Sequence, residues 1–138
     1  IVVCRIVRHV DIGCGFGGLT VKLASLFPDK PVVGFEIRAK VCEYVRLRIV
    51  ALRQEYTGQY INASCVRTNC MRYLPNYFVK GQLQKMFFCF PDPHFKTKNH
   101  RRRIISDVLL SEYAHFLEEN GKLYAATGKL SIALLSIA

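Results

Sequence analysis

The sequence predicts an α/β fold in which helices cover both faces of a mostly parallel, twisted sheet. Strand-like and helix-like runs alternate, beginning with RIVRHVDIG and GGLTVKLASLF. The second helical run, AKVCEYVRLRIVALRQEY, is long and amphipathic. Its apolar side chains share one side: Val41, Val45, Ile49 and Leu52. This alternation favours parallel strands joined by right-handed crossovers, and the 138 residues predict a single domain over 1–138.

The other elements continue the same alternation. PVVGFEI reads as the second strand, QYINASCV as the third, LQKMFFCF as the fourth and KLYAAT as the fifth. The run IISDVLLSEYAHFLEEN is an amphipathic helix that we expect to end with Gly121 at its C′ position. Ligands of such sheets bind beyond the carboxyl ends of the strands. The residues directly after each strand are therefore the candidates for function.

Charge indicates the class of partner. Lysine and arginine number 20 against 10 aspartates and glutamates, a formal net charge of +10. That balance favours a polyanion such as nucleic acid. No apolar run approaches the roughly 18 residues that a membrane span requires, so we expect no membrane association. The six cysteines contain no C-x-x-C pair and sit mostly in apolar runs, which favours reduced thiols in an intracellular protein over zinc or disulfides.

The first crossing contains a glycine-rich loop, DIGCGFGG. Gly13, Gly15 and Gly18 fit G-x-G-x-x-G, a pattern shared by NAD, FAD and S-adenosylmethionine sites. Asp11 stands directly before the loop, and a carboxylate there suits a cationic ligand better than a pyrophosphate. Glu36 closes the second strand, 18 residues beyond Gly18, where it would accept hydrogen bonds from ribose hydroxyls.

Two further strand ends carry polar residues. Asn69 follows the third strand and can both donate to and accept from an adenine edge. The stretch FCFPDPHFKTKNHRRR places Asp92 between Pro91 and Pro93 at the end of the fourth strand, where the prolines restrict the backbone. A dense group of basic side chains then follows, and we expect its members to bind phosphates: His94, Lys96, Lys98, Arg101, Arg102 and Arg103.

Together, DIGCGFGG, GFEIR, RTNCM and FCFPDPHFKTK resemble the tRNA (guanine-N7-)-methyltransferase family in its eukaryotic form, from about Val10 to Thr127. The resemblance implies a Rossmann-like class I methyltransferase fold and S-adenosylmethionine as cofactor, without a metal. It implies a guanosine of the tRNA variable loop as target, a non-catalytic WD-repeat partner and a nuclear location. Asp92 matches the catalytic aspartate. The positions that match cofactor contacts, or stand beside them, are Asp11, Gly13, Gly15, Glu36, Arg38, Asn69, Cys70 and Cys89.

Departures from the family pattern occur at three places. Cys70 stands where alanine is common, and Cys89 where leucine is common. Thr127 is followed by Gly128 rather than by aspartate, and GKLSIALLSIA does not continue the family pattern. No substrate-side residue is therefore assigned beyond Thr127.

The chemistry of guanine N7 suits a single carboxylate. N7 already exposes a lone pair, so its methylation needs alignment rather than a general base. Asp92 could accept hydrogen bonds from the guanine N1–H and amino group, and could also steady the positive charge that the base acquires.

Three alternatives remain open. An amino-nitrogen methyltransferase carries an [Asp/Asn]-Pro-Pro-aromatic motif at the same strand end, but His94 replaces its second proline. A nicotinamide oxidoreductase is compatible with the glycines, although no hydride-transfer set such as Tyr-x-x-x-Lys is present. A non-catalytic RNA-binding subunit would have no need for the glycine loop with Glu36 and Asp92.

Overall fold

The computed structural model describes residues 6–92, 97–126 and 132–136. In this part of the chain, six strands form one sheet in the order β3-β2-β1-β4-β5-β6. The strands are β1 His9–Ile12, β2 Val32–Glu36, β3 Ala63–Arg67, β4 Leu83–Cys89, β5 Leu117–Ala126 and β6 Ile132–Ser136. The α-helices are α1 Gly18–Leu26, α2 Ala39–Glu55, α3 Cys70–Tyr73 and α4 Asp107–Phe116, and 3-10 helices span Leu74–Asn76 and Thr97–Arg102.

The predicted parallel sheet is confirmed for the first five strands. β1 pairs in parallel with both β2 and β4, β2 pairs with β3, and β4 pairs with β5. The chain builds outward from β1 to β3 and then returns to place β4 on the other side of β1. This reversal creates a topological switch point beyond the carboxyl ends of β1 and β4, where ligands of α/β sheets bind.

Apolar clusters cover both faces of the sheet, as predicted. On one face, side chains from α1 and α2 pack over β3, with Val45 and Ile49 almost fully buried. On the other face, α3 and α4 pack over the central strands, and Tyr113 of α4 lies against Phe88 of β4 with ring centroids 4.9 Å apart. These packed layers hold the carboxyl ends of the strands in a fixed arrangement.

The prediction for the end of α4 was wrong. The helix ends at Phe116, and Leu117 is already extended (φ −74°, ψ 138°) and pairs with Leu83. Lys122 next pairs with Lys85, so the intervening residues of β5 bulge, with Asn120 at φ 63°. Gly121 does not cap the helix. Close packing favours glycine at this position, because a Cβ there would lie 2.8 Å from the Glu118 carbonyl oxygen.

A sixth strand was not predicted. β6 pairs antiparallel with β5, from Lys122 opposite Ser136 to Ala126 opposite Ile132. Thr127 and Gly128 lie outside the described residues. None of the helices in the described ranges is long and apolar enough to span a bilayer. That residues 1–138 form one domain stays a prediction.

Candidate active site

The glycine-rich loop crosses from β1 to α1 at the switch point. The Gly13 and Cys14 amides both donate to the Phe35 carbonyl oxygen, at 2.8 and 2.9 Å, which ties the loop to the end of β2. Gly17 has φ 75°, and a Cβ there would lie 2.7 Å from Val45 Cγ1. Both the left-handed backbone and the close approach of α2 therefore require glycine at Gly17, although this residue lies outside the G-x-G-x-x-G pattern.

Two side chains of α2 hold the same loop from outside. Arg48 Nη1 donates to the Phe16 carbonyl oxygen at 3.0 Å. The Tyr44 ring meets the Phe16 ring edge to face, with centroids 5.5 Å apart. This clamp was not predicted, because the helical pattern of α2 indicates which side is buried and not what the exposed side chains contact.

Glu36 accepts four hydrogen bonds, from Gly15 and Arg38. It is 4% exposed, and it accepts from the Gly15 amide at 3.1 Å and from the Arg38 amide at 3.0 Å. The Arg38 guanidinium donates to both of its oxygens, each at 3.1 Å. Burial opposes ionisation of Glu36, but the bonds from Arg38 and Gly15 outweigh burial, so its pKa lies below the ordinary value. Glu36 is therefore a charged acceptor at the end of β2.

Asp11 is buried inside β1 and does not line the cavity described below. Its Oδ2 accepts from Thr20 Oγ1 at 2.8 Å. Its Oδ1 has no hydrogen-bond partner within the part of the chain that the structure describes. Burial raises the pKa of Asp11 to about 6, although the bonds from Thr20 partly offset this effect. A buried carboxylate so poorly compensated suits a nearby cation.

A cavity of about 540 Å³ lies beyond the carboxyl ends of β3, β2, β1 and β4. Its wall contains eight predicted site residues: Gly13, Glu36, Arg38, Asn69, Cys70, Cys89, Asp92 and Arg102. Gly15 is not in the wall but donates to Glu36. Much of the remaining wall is apolar and was not predicted: Ile12, Phe35, Ile37, Met71, Phe90, Pro91 and Ile104. Residues from four strand ends thus meet in one place, as the fold class predicts.

The β3 end of the cavity carries Asn69, Cys70 and Thr68. Asn69 Oδ1 accepts from the Met71 amide at 3.1 Å and caps α3. This cap fixes the Asn69 side chain at the wall. Its Nδ2 is a hydrogen-bond donor that could serve a ligand. Burial raises the pKa of Cys70 to about 12 and also raises the pKa of Cys89. Both thiols are therefore neutral parts of the wall near pH 7.

Asp92 follows β4 on the opposite side of the cavity. It is exposed and lines the cavity together with Phe90 and Pro91. The chain turns sharply just before it, since Phe90 has φ 52° and its amide donates to the Ala126 carbonyl oxygen at 2.8 Å. The hydrogen bond to β5 therefore fixes the position of Phe90, where the turn that leads to Asp92 begins.

The basic residues after Asp92 divide into groups. Lys98 and Arg101 are exposed in or beside the 3-10 helix, Arg103 is half-buried, and Arg102 also lines the cavity. His94 and Lys96 lie outside the described residues. Directly after this segment, the Ile104 carbonyl oxygen accepts from the Tyr113 hydroxyl at 2.8 Å. The basic segment is thus anchored to the core at its carboxyl end.

Cysteines and acids form no metal centre in the ranges that the structure covers. No group of three or more His, Cys, Asp or Glu side chains there could hold a metal ion. Five cysteines are free thiols: Cys14, Cys42, Cys65, Cys70 and Cys89. Cys65 lies 3.4 Å from Cys42 and 3.9 Å from Cys14, sulfur to sulfur, behind the glycine-rich loop. That these thiols stay reduced remains a prediction.

Comparison with known proteins identifies a family. Residues 5–136 match a family described as "Putative methyltransferase". The chain is 62% identical over 122 residues to a tRNA (guanine-N(7)-)-methyltransferase of Arabidopsis thaliana, covering 88% of this chain and 49% of the relative. It is 57% identical over 123 residues to the protein of that name in Anopheles gambiae, covering 89% of this chain and 52% of the relative. The chain therefore spans about half the length of these curated relatives.

Solved structures agree on the fold. A geranyl diphosphate C-methyltransferase from Streptomyces coelicolor A3(2) matches with a TM-score of 0.63 at 21% identity, covering 86% of this chain and 37% of that one. A SAM-dependent methyltransferase from Aquifex aeolicus matches with a TM-score of 0.63 at 12% identity, covering 88% of this chain and 56% of that one. These likenesses confirm the Rossmann-like class I fold. The chain belongs to the methyltransferase family that its residues 5–136 match, and its resemblance to the tRNA (guanine-N7-)-methyltransferases is confirmed.

Proposed function

We propose that this protein transfers a methyl group from S-adenosylmethionine to N7 of a guanosine in the tRNA variable loop. One observation carries the proposal. A single cavity at the switch point of the sheet is lined by Gly13, Glu36 and Asp92, although up to 79 positions separate these residues in the sequence. The identity of the chain to proteins named tRNA (guanine-N(7)-)-methyltransferase supports the choice of substrate.

The cavity residues fit the cofactor in the order of the strands. Asn69 and Cys70 beyond β3 would take the adenine, and Glu36 beyond β2 would accept from the ribose hydroxyls, with Arg38 beside it. Gly13 and Gly15 would leave room for the chain that links ribose to methionine. Cys89 would form the wall beneath the sulfur. When bound, S-adenosylmethionine supplies an electrophilic methyl group attached to a positively charged sulfur.

Asp11 has an electrostatic role in this proposal. Asp11 does not line the cavity, so its carboxylate would not contact the cofactor. It would stabilise the positive charge of the cofactor from beneath the loop. Its poorly compensated burial is what supports this role, since an ionised carboxylate without a matching charge costs folding free energy.

Asp92 is the proposed catalytic residue. Its oxygens would accept from the guanine N1–H and amino group and leave N7 directed at the methyl carbon. N7 attacks with its own lone pair, so no proton has to be removed first. Holding the reacting atoms roughly 3–3.5 Å apart can lower the barrier by about 7–11 kcal/mol. The role of Asp92 is therefore to orient the base.

The basic segment is the proposed phosphate-binding surface. Lys98, Arg101 and Arg103 follow Asp92 closely in the chain, and the predictions for His94, Lys96 and Arg102 extend the same surface. Such contacts position the RNA backbone beside the cavity and carry little sequence information. The net charge of +10 supports this proposal because it attracts a polyanion over a distance.

Family resemblance alone supports two further proposals, a WD-repeat partner subunit and a nuclear location. Co-expression with such a subunit and purification through a tag on one partner would test the first. Recovery of a stoichiometric complex supports it, and separate elution at micromolar concentration would contradict it.

A labelled-methyl assay tests the proposed function directly. The protein is incubated with S-adenosylmethionine labelled in the methyl group and with bulk tRNA, and the RNA is then digested to nucleosides. We expect the label in 7-methylguanosine. Label in an N-methylated amino group would favour the alternative acceptor chemistry, and cofactor binding without transfer would favour a non-catalytic subunit.

A further inference from the structure

Phe90 directly follows β4 and does not continue the burial pattern of that strand. Side chains on one face of a strand recur every two residues, and Met86 and Phe88 are each 0% exposed in the core. Phe90 is next in that series, but it is 72% exposed. The chain therefore turns an aromatic side chain out to the surface directly after β4.

The backbone shows how the ring is turned out. Phe90 has φ 52°, in the left-handed region that bulky residues rarely occupy. Such a conformation is strained and persists only where the surrounding structure enforces it. Here the contact that holds the backbone is the hydrogen bond from the Phe90 amide to the Ala126 carbonyl oxygen, at 2.8 Å.

Both features reduce stability. The left-handed backbone is strained, and an exposed phenylalanine forgoes the stabilisation that burial of its ring would give. Strained residues cluster at functional sites, and Phe90 lines the cavity that also contains Asp92. The exposed ring is thus placed at the one described cavity that brings the predicted site residues together.

We propose that Phe90 is the stacking platform for the acceptor base. The inference rests on the proposed function, in which that base is the target guanine. Asp92, two residues further on, would bind the edge of the base, while the Phe90 ring would cover one of its faces. Face and edge contacts together fix both the position and the rotation of a flat ring, which a carboxylate alone cannot do. Aromatic stacking of this kind contributes about 1–3 kcal/mol per base.

The test compares variants that keep or remove the aromatic ring. Phe90→Leu keeps apolar volume, and Phe90→Tyr keeps the ring. Phe90→Asn removes the ring and suits the left-handed backbone, so it guards against a variant that fails only by misfolding. Tyr56→Leu is the matched control, since Tyr56 is 42% exposed and lies at the far end of α2, outside the cavity wall.

The readouts are kcat/KM for bulk tRNA at saturating cofactor, the Kd for S-adenosylhomocysteine and the melting temperature. We expect Phe90→Leu and Phe90→Asn to lose about 5- to 140-fold in kcat/KM, which is the stacking energy expressed as a ratio. We expect unchanged cofactor affinity, full retention of activity in Phe90→Tyr and a melting temperature of Phe90→Asn at or above the wild type.

Two outcomes would overturn the inference. Unchanged kcat/KM in both ring-free variants would make Phe90 an idle surface residue, and a parallel loss of S-adenosylhomocysteine affinity would assign it to the cofactor instead. Nucleoside analysis of the wild-type product distinguishes a failure of the stacking inference from a failure of the proposed function. If another base were methylated, dependence on the ring would still support stacking, since stacking does not distinguish bases.

Discussion

The Arg38 guanidinium engages both oxygens of the Glu36 carboxylate, Nε to Oε1 and Nη2 to Oε2, each at 3.1 Å. Arg38 is largely exposed, while Glu36 is buried. A ribose that binds Glu36 would therefore share or replace bonds that the carboxylate already makes. The pair keeps Glu36 ionised and oriented before any ligand arrives, which is a form of preorganisation.

This pairing predicts the effect of Glu36→Gln. The amide keeps the size of the side chain but loses the charged acceptor, whose hydrogen bonds are worth about 1.5–3 kcal/mol each. We expect the affinity for S-adenosylhomocysteine to fall at least about tenfold, as measured by calorimetry. Glu43→Gln, on the exposed side of α2, is the control. Equal affinities for Glu36→Gln and the wild type would remove Glu36 from the cofactor site.

Asp11 predicts an unusual pH dependence of stability. Its folded pKa of about 6 lies above the ordinary 3.8, so between those values the folded protein holds a proton that the unfolded chain has released. The contribution of Asp11 to the free energy of unfolding should then fall as pH rises from about 4 to 6, by an amount on the order of 3 kcal/mol. Asp11→Asn should lack this component and be at least as stable as wild type at pH 8. Urea unfolding at pH 4, 6 and 8 measures the difference between the two proteins.

The same variant separates function from stability. If the Asp11 charge favours the positive sulfur, Asp11→Asn should weaken binding of S-adenosylmethionine more than binding of the neutral thioether S-adenosylhomocysteine. The ratio of the two dissociation constants is the readout, and it does not depend on how much the variant changes folding. A ratio equal to that of the wild type would assign Asp11 a purely structural role through Thr20.

Asp92→Ala should remove the orientation of the base and leave cofactor binding intact. Two charge-assisted hydrogen bonds would be lost, so we expect kcat for tRNA methylation to fall by about 100-fold or more. The dissociation constant for S-adenosylhomocysteine should change less than about threefold. Asp29→Ala, in the turn after α1, controls for loss of a surface carboxylate. A rate that survives the substitution would exclude Asp92 from the mechanism.

Arg101→Gln tests the phosphate-binding surface. An exposed side chain that contacts one phosphate contributes roughly 0.7–0.9 to the slope of log affinity against log salt concentration. We expect the variant to bind tRNA more weakly and with a slope reduced by about that amount. Lys80→Gln removes an exposed charge from the turn before β4, away from the 3-10 helix of Thr97–Arg102. Identical slopes for Arg101→Gln and the wild type would place the RNA elsewhere.

Local patterns predicted most of the fold. The alternation of apolar runs identified β1 to β5, α1, α2 and α4, and the parallel order followed from the crossovers. Two errors arose where tertiary contacts override local preference. Gly121 resembles a helix terminator, but pairing of Leu117 with Leu83 ends α4 earlier. β6 was missed because its pairing with β5 is a long-range property that the pattern of its own residues did not reveal.

The site was predictable where function depends on a strand end. Gly13, Glu36, Asn69 and Asp92 each follow directly from the position of a strand, and all four line the cavity. Phe90 and the clamp from Arg48 to Phe16 were not predictable. Their roles depend on a backbone angle and on a side-chain reach across 32 residues, and neither leaves a periodic signal in the sequence.

Methyl transfer to tRNA that contains 7-deazaguanosine in place of guanosine tests the central claim most directly. The analogue keeps the N1–H and amino group that Asp92 would bind, keeps the flat face that Phe90 would cover, and replaces only the attacking nitrogen with carbon. We predict that labelled methyl enters unmodified transcripts as 7-methylguanosine and that transfer to the 7-deaza transcripts is abolished. Equal labelling of both transcripts would show that another atom accepts the methyl group and would contradict the account.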